Sequence, residues 1–425
     1  MLPDDSRRFL LPENGLKEYE VNESMDLRTL RTQSAAIGPD VVAWRRRFHE
    51  NPELPWKERE TTRFIAERLR ELGCENIRIG VGESGTGVIA DLNANHSGPC
   101  VAIRGDIDAL PLDEETDVPF RSKVKGVMHA CGHDAHAAIL LGVATVLSKV
   151  RGEIPGRIRL IFQPAEEAGF DSGAGRMIEG GALEGVDAII GLHVWSSLPS
   201  GVFGLRSGGM MASADVFELT VKGKGGHGGR PQDALDPTIA AATIITTMQS
   251  IISREIDPLE TAVLSIGKIE SGTAPNIIPE TARITGNVRS TSPSVRASME
   301  GRMKRIADGI CMATRCEATL VYTPIYPVTV NDPAMTALAQ ATLTEMFGAG
   351  RVVEPPVAMG SEDFSYYEEK VPGTFIFAGM ADPAKGTDAQ HHNPRFRVDE
   401  DIFPDCVAAL CGIAWRRISF RRDRV

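Results

Sequence analysis

The chain has 425 residues and a formal net charge of −11, with 42% hydrophobic and 24% charged residues. A chain of this length is too long for a single hydrophobic core of ordinary size, so two domains are expected. The composition is that of a soluble globular protein. The acidic balance argues against nucleic-acid binding, which needs basic patches, and no apolar run approaches the roughly 20 residues that span a bilayer.

The first part of the sequence predicts a polar extension followed by helices. Residues 1–25 show no clear period and lack the apolar core of a signal peptide. From Leu27 to Leu72, apolar residues recur at three- and four-residue steps, which is typical of amphipathic helices. His49 lies near a helix end and is interpreted as structural. Seven cysteines without a regular framework fit a reducing compartment, so a cytoplasmic location is expected.

Short apolar strands then alternate with helices as far as residue 193. This alternation predicts an α/β layer with a mostly parallel sheet, in which ligands bind beyond the carboxyl ends of the strands. Polar residues that end predicted strands are therefore expected to share one crevice. These residues are Asp106, Asp108, Glu166, Glu167 and His193.

The middle of the chain has a different pattern, with strands and helices in the order β-α-β-β-α-β. This order is that of a ferredoxin-like unit of about 110 residues. The α/β pattern returns afterwards. The predicted organisation is an extension at 1–25, an α/β domain in two parts at 26–211 and 326–425, and an inserted domain at 212–325.

One octet, His129-Ala-Cys-Gly-His-Asp-Ala-His136, gathers three histidines, a cysteine and an aspartate directly before a predicted helix. Soft and borderline ligands this close together indicate a divalent metal site. A polar loop that caps the helix through Asp134 would look the same. The octet alone does not decide between these two interpretations.

Further donors follow later strands and extend this set. Two adjacent carboxylates after a strand can divide the work, one binding a metal and the other acting as a general base. Glu166 and Glu167 could instead form a solvated helix N-terminus, and His193 could be a hydrogen-bonded core histidine. The set that suits a pair of divalent ions comprises Cys131, His133, Glu166, Glu167, His193 and one histidine of the pair His391 and His392.

Seven motifs carry a resemblance to a known family. They are MHACGHDAH at 128–136, QPAEE at 163–167, GLH at 191–193, GGHGGRP at 225–231, APNIIP at 274–279, GSEDF at 360–364 and HHNP at 391–394. Together they resemble the M20 metallopeptidase family, in the amidohydrolase branch that includes hippurate hydrolases, N-acyl-amino-acid amidohydrolases and plant auxin-conjugate hydrolases. The resemblance extends from about Ile37 to Cys411.

The resemblance implies two divalent ions per subunit, of Zn, Mn, Co or Ni, and a role for each matched residue. Glu166 corresponds to the catalytic base. Cys131 stands where the wider family has an aspartate, which favours softer ions. His392 is preferred to His391 because it directly precedes Asn-Pro. The implied metal ligands are Cys131, His133, Glu167, His193 and His392.

Residues around the ligands also have implied roles. Asp108 is expected to orient a ligand, whereas Asp106 is an unlikely ligand because the histidine of the family's His-x-Asp motif is absent. Asn276 and Arg289 resemble residues that hold the substrate carboxylate, although Arg289 could equally be a solvated strand residue. The inserted domain is expected to be a lid that forms a homodimer or higher oligomer. It would carry His227 to the partner subunit's active site.

The implied activity is metal-dependent hydrolysis of N-acyl-amino acids to a carboxylic acid and a free amino acid. Glu166 would take a proton from the attacking water and pass it to the leaving amine, while His227 helps to stabilise the oxyanion. A dipeptidase or aminopeptidase is the main alternative, and N-carbamoyl hydrolysis a lesser one. A non-catalytic metal-holding binding protein would need neither Glu166 nor His227.

Overall fold

A computed structural model of the protein describes residues 26–81 and 84–419; the predicted extension at 1–25 lies outside them. The helices are α1 (Leu27–Ala36), α2 (Gly38–Glu50), α3 (Arg59–Glu71), α4 (His133–Lys149), α5 (Gly173–Glu179), α6 (Pro237–Ser250), α7 (Pro293–Thr314), α8 (Pro333–Phe347), α9 (Ser365–Glu368) and α10 (Phe403–Ser419). The strands are β1 (Glu75–Val81), β2 (Thr86–Leu92), β3 (Cys100–Asp106), β4 (Arg157–Gln163), β5 (Ala188–Pro199), β6 (Phe203–Gly204), β7 (Gly208–Met211), β8 (Ala214–Lys222), β9 (Gly226–His227), β10 (Ala262–Ser271), β11 (Ile277–Ile278), β12 (Thr281–Ser290), β13 (Glu317–Tyr326), β14 (Thr329–Asn331), β15 (Val352–Val353) and β16 (Gly373–Ala381).

The chain folds into two compact units. The first comprises the described chain up to Gly208, Val330–Pro355 and the residues from Tyr366 onward. The second comprises Gly209–Thr329 and Pro356–Ser365. The main division lies close to the predicted boundaries at 212 and 325, and a short segment that returns late in the chain also joins the second unit.

The first unit is built on a mixed sheet in the order β1-β2-β4-β3-β5-β16-β6-β15. Its centre is parallel, since β3 pairs in parallel with β4 and β5, and β5 with β16. β1 and β2 add an antiparallel edge. The predicted α/β fold with a mostly parallel sheet is therefore confirmed.

The central strands and α4 consist mostly of apolar residues, which explains why they lie in the core of the first unit. Every residue of β2 and β3 is buried, as expected for strands covered on both faces. α4 is buried on nearly all sides and packs against α2 and α10. A side chain at Gly142 would meet Val407 Cγ2 of α10 at 2.7 Å, so glycine allows this close helix contact.

The second unit has an antiparallel sheet in the order β10-β12-β8-β13. Burial alternates along β8, and its buried residues Phe217, Leu219 and Val221 belong to a core shared with α6 and α7. The elements follow the β-α-β-β-α-β order of a ferredoxin-like unit. Across the described parts of both units, no helix is both long and apolar enough to cross a membrane.

Candidate metal centre

Several segments of the first unit supply the predicted donors. Cys131 and His133 flank the start of α4, Glu167 follows β4, His193 lies within β5, and His392 lies in the loop after β16. The turn between the first two depends on Gly132, whose φ is 95° and whose Cβ would lie 2.3 Å from Val194 Cγ2. Only glycine fits this left-handed position so close to β5.

The donor atoms form overlapping groups, within each of which all atoms lie within 4.8 Å of one another. Cys131 and Glu167 each belong to two of these groups and His133 to three, and these shared members join the donors into one cluster. Within the first unit the groups are Cys131 with His133 and His193, Cys131 with Glu167 and His392, His133 with Glu166 and Glu167, and Asp106 with His133 and His136. The structure thus brings together all the implied ligands and the implied base.

The chemistry of these donors fits a divalent cation. His133 Nε2 is buried and has no hydrogen-bond partner among the described residues. Burial raises the pKa of the Cys131 thiol, and hydrogen bonds to Cys131 and Glu167 raise the pKa of His392 to about 10. A divalent ion bound here would replace the protons that these side chains otherwise hold.

Asp108 orients two members of the cluster. Its Oδ1 lies 3.1 Å from His133 Nδ1, and its Oδ2 accepts the Glu167 backbone N–H at 3.0 Å. The contact between Asp108 and His133 Nδ1 leaves His133 Nε2 free to bind a metal.

Asp106 is a second buried carboxylate near His133. Burial opposes ionisation of Asp106, but His133 and Arg104 hold its pKa well below the usual value. Arg104 Nη1 donates to Asp106 Oδ2 at 2.6 Å.

His136 and Asp106 also lie near His133, but their hydrogen bonds indicate a supporting role. His136 Nε2 accepts the Val194 N–H at 2.9 Å, and its Nδ1 lies 2.5 Å from Asp106 Oδ1. A histidine that accepts at Nε2 must donate from Nδ1, so both ring nitrogens are engaged. This pair therefore supports β5 next to His193.

The two histidines of the HHNP motif have different surroundings. His392 Nε2 lies 2.9 Å from Glu167 Oε1, and its backbone adopts a left-handed φ of 64°. His391 Nε2 instead accepts the Ser196 N–H at 3.3 Å, and burial lowers the pKa of His391 to about 3. His392 is thus the member of the pair that lies in the donor cluster.

The helix start at α4 differs from the alternative in which Asp134 is the N-cap. Gly132 occupies the N-cap position, and Asp134 is buried with its Oδ2 2.8 Å from Arg45 Nε and 2.7 Å from His49 Nδ1. His49 Nε2 also lies 3.1 Å from Glu114 Oε1. This buried network agrees with the structural interpretation of His49, but its long-range partners had no local signal in the sequence.

His227, the residue predicted to stabilise the oxyanion, and the predicted substrate-binding residues Asn276 and Arg289 lie in the second unit. His227 on β9 pairs with Ile277 on β11, next to Asn276, and is exposed. Its Nδ1 accepts the Gly229 N–H at 2.9 Å. Arg289 on β12 donates from Nη1 to the Met359 carbonyl at 3.0 Å.

Known proteins are similar to this chain in sequence. The family described as Peptidase family M20/M25/M40 matches residues 102–416. Thermostable carboxypeptidase 2 of Saccharolobus solfataricus is 44% identical over 381 residues, which cover 89% of this chain and 95% of the relative. N-acetylcysteine deacetylase of Bacillus subtilis is 42% identical over 362 residues, covering 85% and 92% respectively.

A solved structure extends the comparison to three dimensions. The Bacillus subtilis YXEP protein, described as a dinuclear metal binding peptidase from the M20 family, is 37% identical and superposes with a TM-score of 0.79. The match covers 90% of this chain and 99% of that one. These similarities define a hydrolase that acts on C–N bonds, and with the donor cluster they support a divalent metal cofactor. The chain belongs to peptidase family M20/M25/M40, which confirms the resemblance of its motifs.

Proposed function

We propose that the protein hydrolyses the amide bond of N-acyl-amino acids, such as hippurate-like conjugates, to a carboxylic acid and an amino acid. The observation that carries this proposal is the buried Glu166 carboxylate within the same donor group as His133 and Glu167. Such a pair of adjacent glutamates suits one ligand and one general base. The deacetylase relative from Bacillus subtilis, named for an N-acetyl amino acid, supports the substrate class.

The same cluster would hold two divalent ions. Cys131 and Glu167 each belong to two overlapping donor groups, as expected if neighbouring ions share the centre. A thiolate from Cys131 would favour Zn, Co or Ni over harder ions, while the carboxylates also suit Mn. The proposed ligands are Cys131, His133, Glu167, His193 and His392.

The mechanism uses side chains with distinct protonation roles. Bound divalent ions would supply Lewis-acid polarisation of the carbonyl and activation of water. Glu166 would accept a proton from the attacking water and donate it to the leaving nitrogen. Asp108 contacts the His133 ring and accepts a hydrogen bond from the Glu167 backbone, so it would hold both residues in place next to Glu166, the proposed proton acceptor.

The second unit would act as the lid and dimerisation domain. The exposed ring of His227, with Nδ1 engaged by Gly229, would offer Nε2 to the oxyanion in the partner subunit. Asn276 and Arg289 would hold the substrate carboxylate. β10 is an edge strand that exposes Ile269, which supports pairing of this unit with another copy.

Replacement of Glu166 tests the proposed chemistry. Glu166→Gln keeps the size of the side chain but removes the proton acceptor, so kcat should fall by about 10²–10⁴ while metal content stays constant. N-acetyl- and N-benzoyl-amino acids are the substrates. Glu167→Gln is the matched comparison and should lose metal as well as turnover. Retained turnover in Glu166→Gln would rule this residue out as the base.

A dipeptidase or aminopeptidase activity is the second candidate, because the family to which this chain belongs is described as a peptidase family. A dipeptidase or aminopeptidase substrate presents a free amine, whereas an N-acyl-amino acid does not. A panel of N-acetyl, N-benzoyl and unprotected dipeptide substrates therefore separates the two. Higher kcat/KM for the unprotected dipeptides would favour the peptidase.

A further inference from the structure

Two left-handed residues that are not glycine meet on one buried carboxylate. Trp56 has φ 62° and Ala165 has φ 53°. The backbone N–H of each donates to Glu58 Oε1, at 3.0 Å and 2.8 Å respectively. Such backbone conformations persist in ordinary residues only where the surroundings hold them. Glu58 therefore connects two strained turns that are far apart in sequence.

The side chain of Glu58 is not used by its own helix. Glu58 is the N-cap residue of α3, yet in the described structure its side chain makes no hydrogen bond to the first helical turn. The Glu53 carboxylate does this instead, accepting the N–H groups of Glu60 at 3.1 Å and Thr61 at 2.9 Å. Helix capping thus does not explain the buried carboxylate at position 58.

The turn that Glu58 holds leads directly into the proposed base. Ala165 lies between β4 and Glu166, and its carbonyl accepts the Gly173 N–H at 3.0 Å. On the other side, Asp108 Oδ2 accepts the Glu167 N–H. Two buried carboxylates thus fix the backbone immediately before and after Glu166.

The surroundings of Glu58 agree with a fixed position. The residue is fully buried, and this burial together with the charge of Asp108 raises the pKa of Glu58 to about 8. A polar group in such a place needs well-formed hydrogen bonds to be tolerated. The two backbone N–H donors supply them for Oε1, whereas Oε2 is buried without a hydrogen-bond partner among the described residues.

We propose that Glu58 is a positioning residue, whose Oε1 fixes the left-handed turn at Ala165 and thereby places Glu166 and Glu167 at the metal centre. This inference rests on the proposed roles of those two glutamates. Glu58 would act through the backbone and would touch neither metal nor substrate.

Two substitutions in the full-length enzyme distinguish the effect of losing the hydrogen-bond acceptor at position 58 from the effect of changing the volume of the side chain. Glu58→Met fills similar space without an acceptor, whereas Glu58→Gln keeps an oxygen at Oε1. In each variant we would measure kcat and KM with an N-acyl-amino acid, and Co²⁺ affinity by competition with a chelator. Loss of an outer contact typically costs 10–100-fold in metal affinity or activity. We expect such a loss in kcat and Co²⁺ affinity for Glu58→Met, with KM little changed, and near wild-type values for Glu58→Gln.

A control variant separates positioning from general loss of stability. Glu53→Met removes the cap of α3 and should lower the unfolding temperature while leaving Co²⁺ affinity and kcat intact. Wild-type behaviour of Glu58→Met, equal damage in Glu58→Gln, or equal damage in Glu53→Met would overturn the inference. Should Glu58→Met not fold, Glu58→Asp takes its place, because the shorter side chain cannot reach both amides. Unchanged kcat and Co²⁺ affinity in Glu58→Asp would likewise overturn it.

Failure of this inference differs from failure of the proposed function. Turnover retained in Glu166→Gln would refute the proposed base whatever Glu58 does. An inactive Glu166→Gln together with a fully active Glu58→Met would refute only the positioning role.

Discussion

The side chains of the donor cluster in the first unit and the His227 side chain on β9 of the second unit differ in how firmly the chain holds them. His133 is buried, and Asp108 fixes its Nδ1. His227 is exposed, and the hydrogen bond to its ring comes from Gly229, two residues away. The ring of His133 is held by a residue from a distant segment, whereas the ring of His227 is held from within its own loop, although the backbone of β9 pairs with the distant strand β11.

This difference suggests a division of labour. Metal affinity depends on the positions of several donors at once, so it should follow the rigid network of the first unit. Groups that bind substrate or stabilise charge can stand on exposed loops carried by a scaffold. Substitutions in the first unit should therefore change metal binding and turnover together, and those in the second unit turnover or KM alone.

The largest effect is expected for His133→Ala, because His133 belongs to three donor groups. Metal affinity should fall by more than the roughly 100-fold typical of outer contacts, and turnover should become undetectable. Isothermal titration of the apo-protein with Zn²⁺ and an amidase assay measure both. His96→Ala, at an exposed histidine, is the control. Unchanged Zn²⁺ affinity in His133→Ala would contradict the assignment of His133 as a metal ligand.

His227→Ala should lower kcat about 10²–10³-fold, the usual effect of removing one oxyanion donor, without changing metal content. Metal analysis and steady-state kinetics on the same preparation test this. The ring is exposed, so the fold of the second unit should be unaffected. Coupled loss of metal would show that the two regions are not separate in function.

Arg289→Met should raise KM about tenfold or more, as expected for loss of a charge-assisted hydrogen bond to a carboxylate. The same variant should show little change with a substrate whose carboxylate is amidated. Arg283→Met on the same strand, where Arg283 is exposed and lies 3.5 Å from Glu218, is the matched control. Equal effects on both substrates would exclude carboxylate recognition by Arg289.

The last prediction concerns stability and leaves turnover almost unchanged. The pKa of Glu58 is raised to about 8, so the folded state holds a proton that the unfolded state releases above its ordinary pKa of about 4.5. This contribution to the free energy of unfolding is present below pH 4.5 and is lost as the pH rises through 8. Glu58→Gln lacks it. The stability of Glu58→Gln relative to the wild type should therefore increase across this range in urea unfolding, and a flat difference would contradict the assignment.

Much of the fold followed from local sequence patterns. Alternating strands and helices predicted the α/β sheet with its mostly parallel centre. The rule that ligands lie at the carboxyl ends of parallel strands correctly placed Glu167 just after β4, whereas His193 lies within β5, which continues to Pro199 instead of ending at His193 as predicted. That rule works because the hydrogen-bonding pattern of the sheet aligns these ends whatever the intervening loops.

Other features depend on contacts that no local pattern encodes. Glu58 lies at the N-cap position of α3, yet its carboxylate accepts the Ala165 backbone N–H from more than a hundred residues away. Asp134 resembled a helix cap but pairs with Arg45 from α2. The choice between His391 and His392 rested on resemblance, because a one-residue difference in a loop has no periodic signal. Burial and long-range hydrogen bonding decide these positions.

Anomalous diffraction from crystals of the full-length protein supplied with Zn²⁺ tests the central claim most directly. We expect two anomalous peaks in the first unit, each within coordination distance of donors from the set Cys131, His133, Glu167, His193 and His392. Peaks elsewhere, or no peak beside the Cys131 sulfur, would contradict the account.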